Sequence, residues 1–213
     1  MVKINQAKIV GFVSPFFGNE HASVKMVHNP DSIATRFQSL WGAHPKKVFG
    51  FALPRRQKSQ SWRKALIYVN KNEPNTGRRR KPSEVYYTAV HEYAHVYSSR
   101  NSKLNNRCQE IFAHLVALEF LAKFYPAENK LLLTQRLKRK GNLMVREIPL
   151  QAVMINKYLP KSIRLQVLRD LIDGKIREDG KGMDEHIQKM VANVPGVAEK
   201  FMSYLNEWKK IPF

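Results

Sequence analysis

The sequence predicts an α+β fold in which a small sheet comes first and helices carry the rest. Three observations point that way. Short β-branched and aromatic runs are confined to the stretch before Asn70, two long helical segments follow, and from Lys130 onward nearly every segment is helical in character.

Taken in order, residues 2–13 mix apolar, polar and β-branched side chains and read as a strand. Asn29-Pro30-Asp31 is followed by a short helix over 32–41 and the turn Gly42-Ala43-His44-Pro45. Residues 47–53 (KVFGFAL) and 65–69 (ALIYV) read as two further strands. The Asn, Pro and Gly of 70–81 predict a loop, and Pro82-Ser83 opens a helix running to about residue 99. A Ser/Asn-rich break over 98–106 separates it from a second helix over 107–124, closed by Pro126. Helices are then expected over 131–140, 150–158, 161–172 before Gly174, 184–193 and 197–210.

At 213 residues, with 43% hydrophobic and 25% charged content, the chain is ordinary globular material and large enough for a core without disulfides. The expected division is a core over 1–128 and a helical subdomain over 129–213 that completes a cleft. Cys108 is the single cysteine, which excludes an intrachain disulfide and any C-x-x-C zinc or redox site. A cytoplasmic protein fits this, as does one exported without a cleaved signal, such as a phage product or a secreted effector or toxin. Ser14-Pro15 cuts the apolar run over 9–13, so a signal peptide is not expected, and no stretch approaches the ~18 apolar residues of a membrane span.

His91-Glu92-Tyr93-Ala94-His95 is an HExxH sequence inside a segment already read as helical. Residues four apart in a helix differ by about 40° in direction, so His91 and His95 share a face and can present ring nitrogens to one ion. With 7 His and 12 Glu in the chain, about 0.013 such motifs are expected by chance. Zinc (Zn2+) asks for neutral imidazoles, a third protein ligand and an open position for water, whose pKa then falls to about 7. Glu92 is placed to take that water's proton, so the expected chemistry is hydrolysis of a peptide bond.

The stretch from Thr88 to Tyr97, with threonine first and an uncharged residue next, resembles the extended signature of the zincin metallopeptidases. The resemblance implies a zincin-like small sheet packed on an HExxH helix and a glutamate-bearing helix, and zinc-dependent endopeptidase activity with no large prosegment ahead of residue 65. It also implies that 65–69 is the edge strand along which substrate lies. Ser98 and Asn101 stand where the metzincin pattern has glycine and histidine, which excludes that subclass.

The candidates for third ligand are Glu110, His114 and Glu119. Glu110 shares a helical face with Ala113, His114 and Ala117, while Glu119 points about 180° away, so the two glutamates cannot serve together. The small residues beside Glu110, and its expected place in the first turn, favour it as ligand with His91 and His95. The run from Glu110 to His114 resembles the glutamate helix of gluzincins, distantly that of the Ste24-like and ImmA/IrrE-like peptidases. His114 departs from the aspartate of the Ste24-like pattern, so it is either a partner that orients a ligand or the ligand itself. Tyr158, His186 and Tyr204 are available to stabilise an oxyanion.

The formal charge of +20 attracts nucleic acid or acidic protein surfaces. It is unevenly spread: residues 55–81 carry ten Lys/Arg and one Glu, and 130–140 five more cations without an acid. Arg55, Arg56, Arg78, Arg79, Arg80 and Lys81 are thus a candidate surface for an acidic protein substrate or, in the alternative reading, for nucleic acid on a zincin scaffold with or without peptidase activity.

Overall fold

A computed structural model describes residues 4–17, 22–27, 49–53, 57–58, 61–62, 65–74, 76–98, 104–138, 148–178, 181–192 and 194–209. The fold is α+β and mostly helical, and the chain divides into two compact units, Met1–Tyr97 and Ser98–Phe213. The helix expected over 32–41 lies outside the described residues.

In the first unit, the strand expected over 2–13 is a helix, α1 (Gln6–Phe17). Ile9, Phe12 and Val13 are its buried residues, and their spacing of three and four is helical, a period that outweighs the β-branched content. Asn5 Oδ1 accepts from the Lys8 amide at 3.1 Å, the bond that an N-cap makes to the first turn.

The sheet that follows is three-stranded, in the order β1 (Ala22–Val27), β5 (Ala65–Asn70), β2 (Gly50–Leu53). β1 runs parallel to β5, with Ala22 opposite Ala65, and β2 runs antiparallel to it, with Gly50 opposite Val69. A separate two-stranded ladder joins β3 (Gln57–Lys58) to β4 (Ser61–Trp62). The expectation that 65–69 is an edge strand is overturned: β5 is the middle strand, and β2 is an edge among the described strands. Ile67, Tyr68 and Val69 are all buried, and such a continuous apolar run belongs to a strand covered on both faces.

The loop expected over 70–81 is found, and among its described residues it is a turn held by internal bonds. Asn72 bridges to Arg79, the Glu73 amide donates to the Arg78 carbonyl at 2.7 Å, and buried Glu73 accepts from Thr76 Oγ1 and Arg78 Nε. Helix α2 (Pro82–Ser98) begins as the sequence predicts. Pro82 loses nothing at its first position, and Glu84 Oε2 reaches back to the Lys81 amide at 2.7 Å, half of a capping box.

The second unit is all helical among the described residues. α3 (Asn106–Phe124) is its centre: every residue from Ile111 to Leu121 is buried, so it is covered on all sides, by α4 (Pro126–Leu137), α5 (Leu150–Tyr158) and α6 (Lys161–Ile172). Pro126 does not merely end α3; it opens α4, several residues ahead of the predicted start. α6 stops where Gly174 takes φ 70°, the left-handed conformation glycine adopts without cost. Gly174 N then donates to Leu171 O and Lys175 N to Asp170 O, a Schellman closure. α7 (Lys181–Val191) and α8 (Ala198–Lys209) complete the unit. No described helix is long and apolar enough to cross a membrane.

Candidate metal centre

Helix α2 is buried along most of its surface, through Val85, Tyr86, Ala89, Val90, Tyr93, Ala94 and Val96. His91, Glu92 and His95 lie on its partly open side. The Nε2 atoms of His91 and His95 are 3.0 Å apart, with the rings nearly perpendicular and 4.5 Å between centroids. Two imidazoles bound to one zinc at about 2.05 Å in tetrahedral geometry hold their nitrogens roughly 3.3 Å apart, so the pair needs only a small adjustment to fit such an ion. Tyr87, one turn earlier, stacks its ring on His91 at 6.3 Å and 12°.

Glu92 faces the sheet. A β-carbon added to Gly50 would stand 3.4 Å from Glu92 Cγ and 2.6 Å from Thr88 Cγ2, so β2 and α2 approach as closely as they do because Gly50 has no side chain. Thr88 is buried and accepts from Arg80 Nη2 at 2.5 Å. Gly50 was not singled out from the sequence, Thr88 entered only as the first residue of the zincin-like stretch, and Arg80 only as part of a basic surface. The available signals were a glycine inside an aromatic strand, a threonine three residues before the first histidine, and an arginine just ahead of the helix.

In the second unit, Glu110 and His114 lie one turn apart on α3, with Glu110 Oε2 3.8 Å from His114 Nε2. His114 is buried, whereas the Glu110 side chain is 53% exposed and can reach a ligand without leaving a packed position. Glu110 is not in the first turn as expected. Asn105 is the N-cap, accepting from the Cys108 amide at 2.8 Å, and Glu110 follows in the second turn, where the helix dipole favours a carboxylate less. Buried Cys108 is a packed residue of that first turn.

Glu119 is committed elsewhere. It is 4% exposed, binds Arg164 through both carboxylate oxygens, and accepts from Asn156 Nδ2 at 2.8 Å. These bonds take three of the carboxylate's roughly four acceptor positions and hold it inside the second unit, which argues against Glu119 as a ligand. Tyr204 is fully buried and donates to Asp184, which also accepts from Gln151 Nε2. His186 pairs with Asp170 at 2.9 Å, and the Tyr158 hydroxyl accepts from Lys157 Nζ.

The candidate basic surface is smaller than its sequence suggests. Arg55 and Arg56 lie outside the described residues. Arg80 is 2% exposed and therefore no part of a docking surface. Arg78 bonds Glu84 and Glu73, and these two carboxylates raise its pKa further above the ordinary arginine range. Arg79 and Lys81 remain exposed. The run 78–81 is thus in large part a fastening for the start of α2, a role that charge counting does not distinguish from a solvated cluster. Comparison of the chain with family models, curated proteins and solved structures finds no match, so the reading of this site rests on its own residues.

Proposed function

We propose that the protein is a zinc-dependent endopeptidase of gluzincin type. The observation that carries this reading is the convergence of His91 and His95 Nε2 at 3.0 Å on a buried helix, with Glu92 between them in sequence. His91 and His95 would hold the metal, with Glu110 as third ligand and His114 beside it as the alternative donor. When bound, zinc supplies Lewis acidity, making water nucleophilic near neutral pH and polarising a carbonyl.

The chain's own residues do the rest. Glu92 accepts the proton of the attacking water on a carboxylate oxygen and returns it to the amine nitrogen as the C–N bond breaks, so no covalent link to the protein forms. Gly50 lets β2 approach the Glu92 side chain closely, which would limit its movement. An exposed β2 edge would bind an extended peptide by main-chain hydrogen bonds, and the positive field would favour acidic protein substrates.

The deciding experiment combines metal analysis of the purified protein with a proteome-wide search for new termini, wild type against Glu92→Gln. Zinc near one equivalent and termini that vanish in the variant are expected; metal-free protein unable to take up zinc would end this reading. A second reading, nucleic-acid binding on the same scaffold, draws on the net charge of +20 but loses Arg78 and Arg80 to internal contacts. It requires affinity for DNA or RNA that falls steeply with salt.

A further inference from the structure

We infer that Arg80 is a positioning residue for the His91–Glu92–His95 turn, acting through Thr88; the inference rests on the metal-binding reading of that turn. Arg80 is 2% exposed, and its two terminal nitrogens make four hydrogen bonds. Nη1 donates to the carbonyls of Phe49 at 3.2 Å and Asn70 at 2.9 Å, one just before β2 and the other at the end of β5. Nη2 donates to the Glu84 carbonyl and to Thr88 Oγ1, each at 2.5 Å and both on α2. The guanidinium also lies over the Phe49 ring, 5.0 Å from its centroid. One planar, rigid group therefore joins two strands to the helix that carries the histidines.

Where the fork grips α2 decides what it controls. Thr88 lies one turn before His91 and Glu92 and seven residues before His95, so it shares their face of the helix. Its hydroxyl is held by Arg80, and its methyl marks the closest approach to Gly50. Apolar packing alone would tolerate a small rotation of α2 about its axis. A hydrogen bond from a fixed fork does not, and such a rotation would turn both imidazoles and the Glu92 carboxylate away from a common point. Lysine at residue 80 would be a poor substitute, because a point charge on a flexible stem cannot satisfy the same acceptors in one plane.

The test measures zinc affinity by competition with a chromophoric chelator, together with thermal unfolding of the metal-free protein, and needs no substrate. Thr88→Val keeps the shape but removes the hydroxyl, Thr88→Ser keeps the hydroxyl, and Ile9→Val in α1 is a packing control in the same unit. Thr88→Val and Arg80→Lys are expected to weaken zinc binding by about 10- to 100-fold, the range typical of residues that orient metal ligands. Thr88→Ser should stay within about threefold of wild type, and so should Ile9→Val even if its unfolding temperature falls as much as that of Thr88→Val. The cobalt-substituted Thr88→Val protein should also show a shifted visible spectrum, reporting altered ligand geometry. Wild-type affinity and spectrum in Thr88→Val, or equal losses in Thr88→Val and Ile9→Val, would overturn the inference and leave the metal site intact. A wild-type protein that binds no zinc would instead remove the proposed function, and this inference with it.

Discussion

Gly50 meets Thr88 where the sheet packs on α2, with no room for a side chain: a β-carbon on Gly50 would stand 2.6 Å from Thr88 Cγ2 and 2.8 Å from the Tyr68 carbonyl oxygen. The second of these neighbours is backbone within the β5 ladder, which cannot give way cheaply. Gly50→Ala is therefore expected to push β2 off α2 and lower stability by about 1–3 kcal/mol, the usual cost of forced overpacking. Chemical unfolding of the metal-free protein measures it. Wild-type stability would mean that the strand and helix slide apart freely, and that Glu92 is not held by their contact.

Variants of Glu92 and His91 are expected to separate chemistry from metal binding. Glu92→Gln should retain zinc while cleavage falls by about 10²- to 10⁴-fold, the usual contribution of a general base. His91→Ala should lose the metal under the same dialysis. Zinc content and the appearance of new termini, followed in parallel on both variants, check this. Full cleavage by Glu92→Gln would remove it as the base.

Much of this arrangement was legible in the sequence because strong local signals and tertiary packing agree. Pro82 opens α2, where Glu84 bonds the Lys81 amide, and Gly174 stops α6, each within a few residues of sequence. Failures occurred where the deciding partner is remote or the local signal is ambiguous. Residues 6–17 carry β-branched side chains and Pro15, yet their helix is set by the burial of Ile9, Phe12 and Val13. β1 was not anticipated, because its pairing is with β5, far along the chain. Arg78 and Arg80 read as part of a docking surface, since nothing in a run of cations reveals the carbonyls of Phe49 and Asn70 or the carboxylate of Glu73. The shared face of His91 and His95 was legible because the two stand at helical spacing in one short segment.

Glu119 is expected to matter for folding and not for metal. Its carboxylate is buried against Arg164 and Asn156, and removing one partner strands the other charge. Glu119→Ala should cost about 3–5 kcal/mol of unfolding free energy. At a temperature where the variant remains folded, zinc affinity should equal that of wild type, whereas Glu110→Ala should do the reverse, weakening zinc while leaving stability nearly unchanged. Loss of zinc in Glu119→Ala with Glu110→Ala unaffected would exchange the roles assigned to the two glutamates.

Two buried aspartates in the second unit should give opposite pH signatures. Burial opposes ionisation of Asp170, but hydrogen bonds from His186, Gln166 and Lys175 outweigh it and hold its pKa below the ordinary carboxylate value. Stability from such a group is complete above its unfolded pKa, about 3.9, and is lost as pH falls through the folded value. For Asp184, burial prevails over the bonds from Tyr204 and Gln151 and the pKa rises. Its contribution is complete below the unfolded value and is lost as pH rises through the folded one. Asp170→Asn should therefore be less stable than wild type by about 1.5–3 kcal/mol at neutral pH and converge on it in acid. Asp184→Asn should improve relative to wild type as pH rises above about 4 and run parallel to it below. Urea unfolding from about pH 2 to 8 gives both curves. A constant offset for either variant would mean that its carboxyl group keeps the same proton affinity in the folded and unfolded chain, and that the hydrogen bonds around it do not discriminate between its charged and neutral forms.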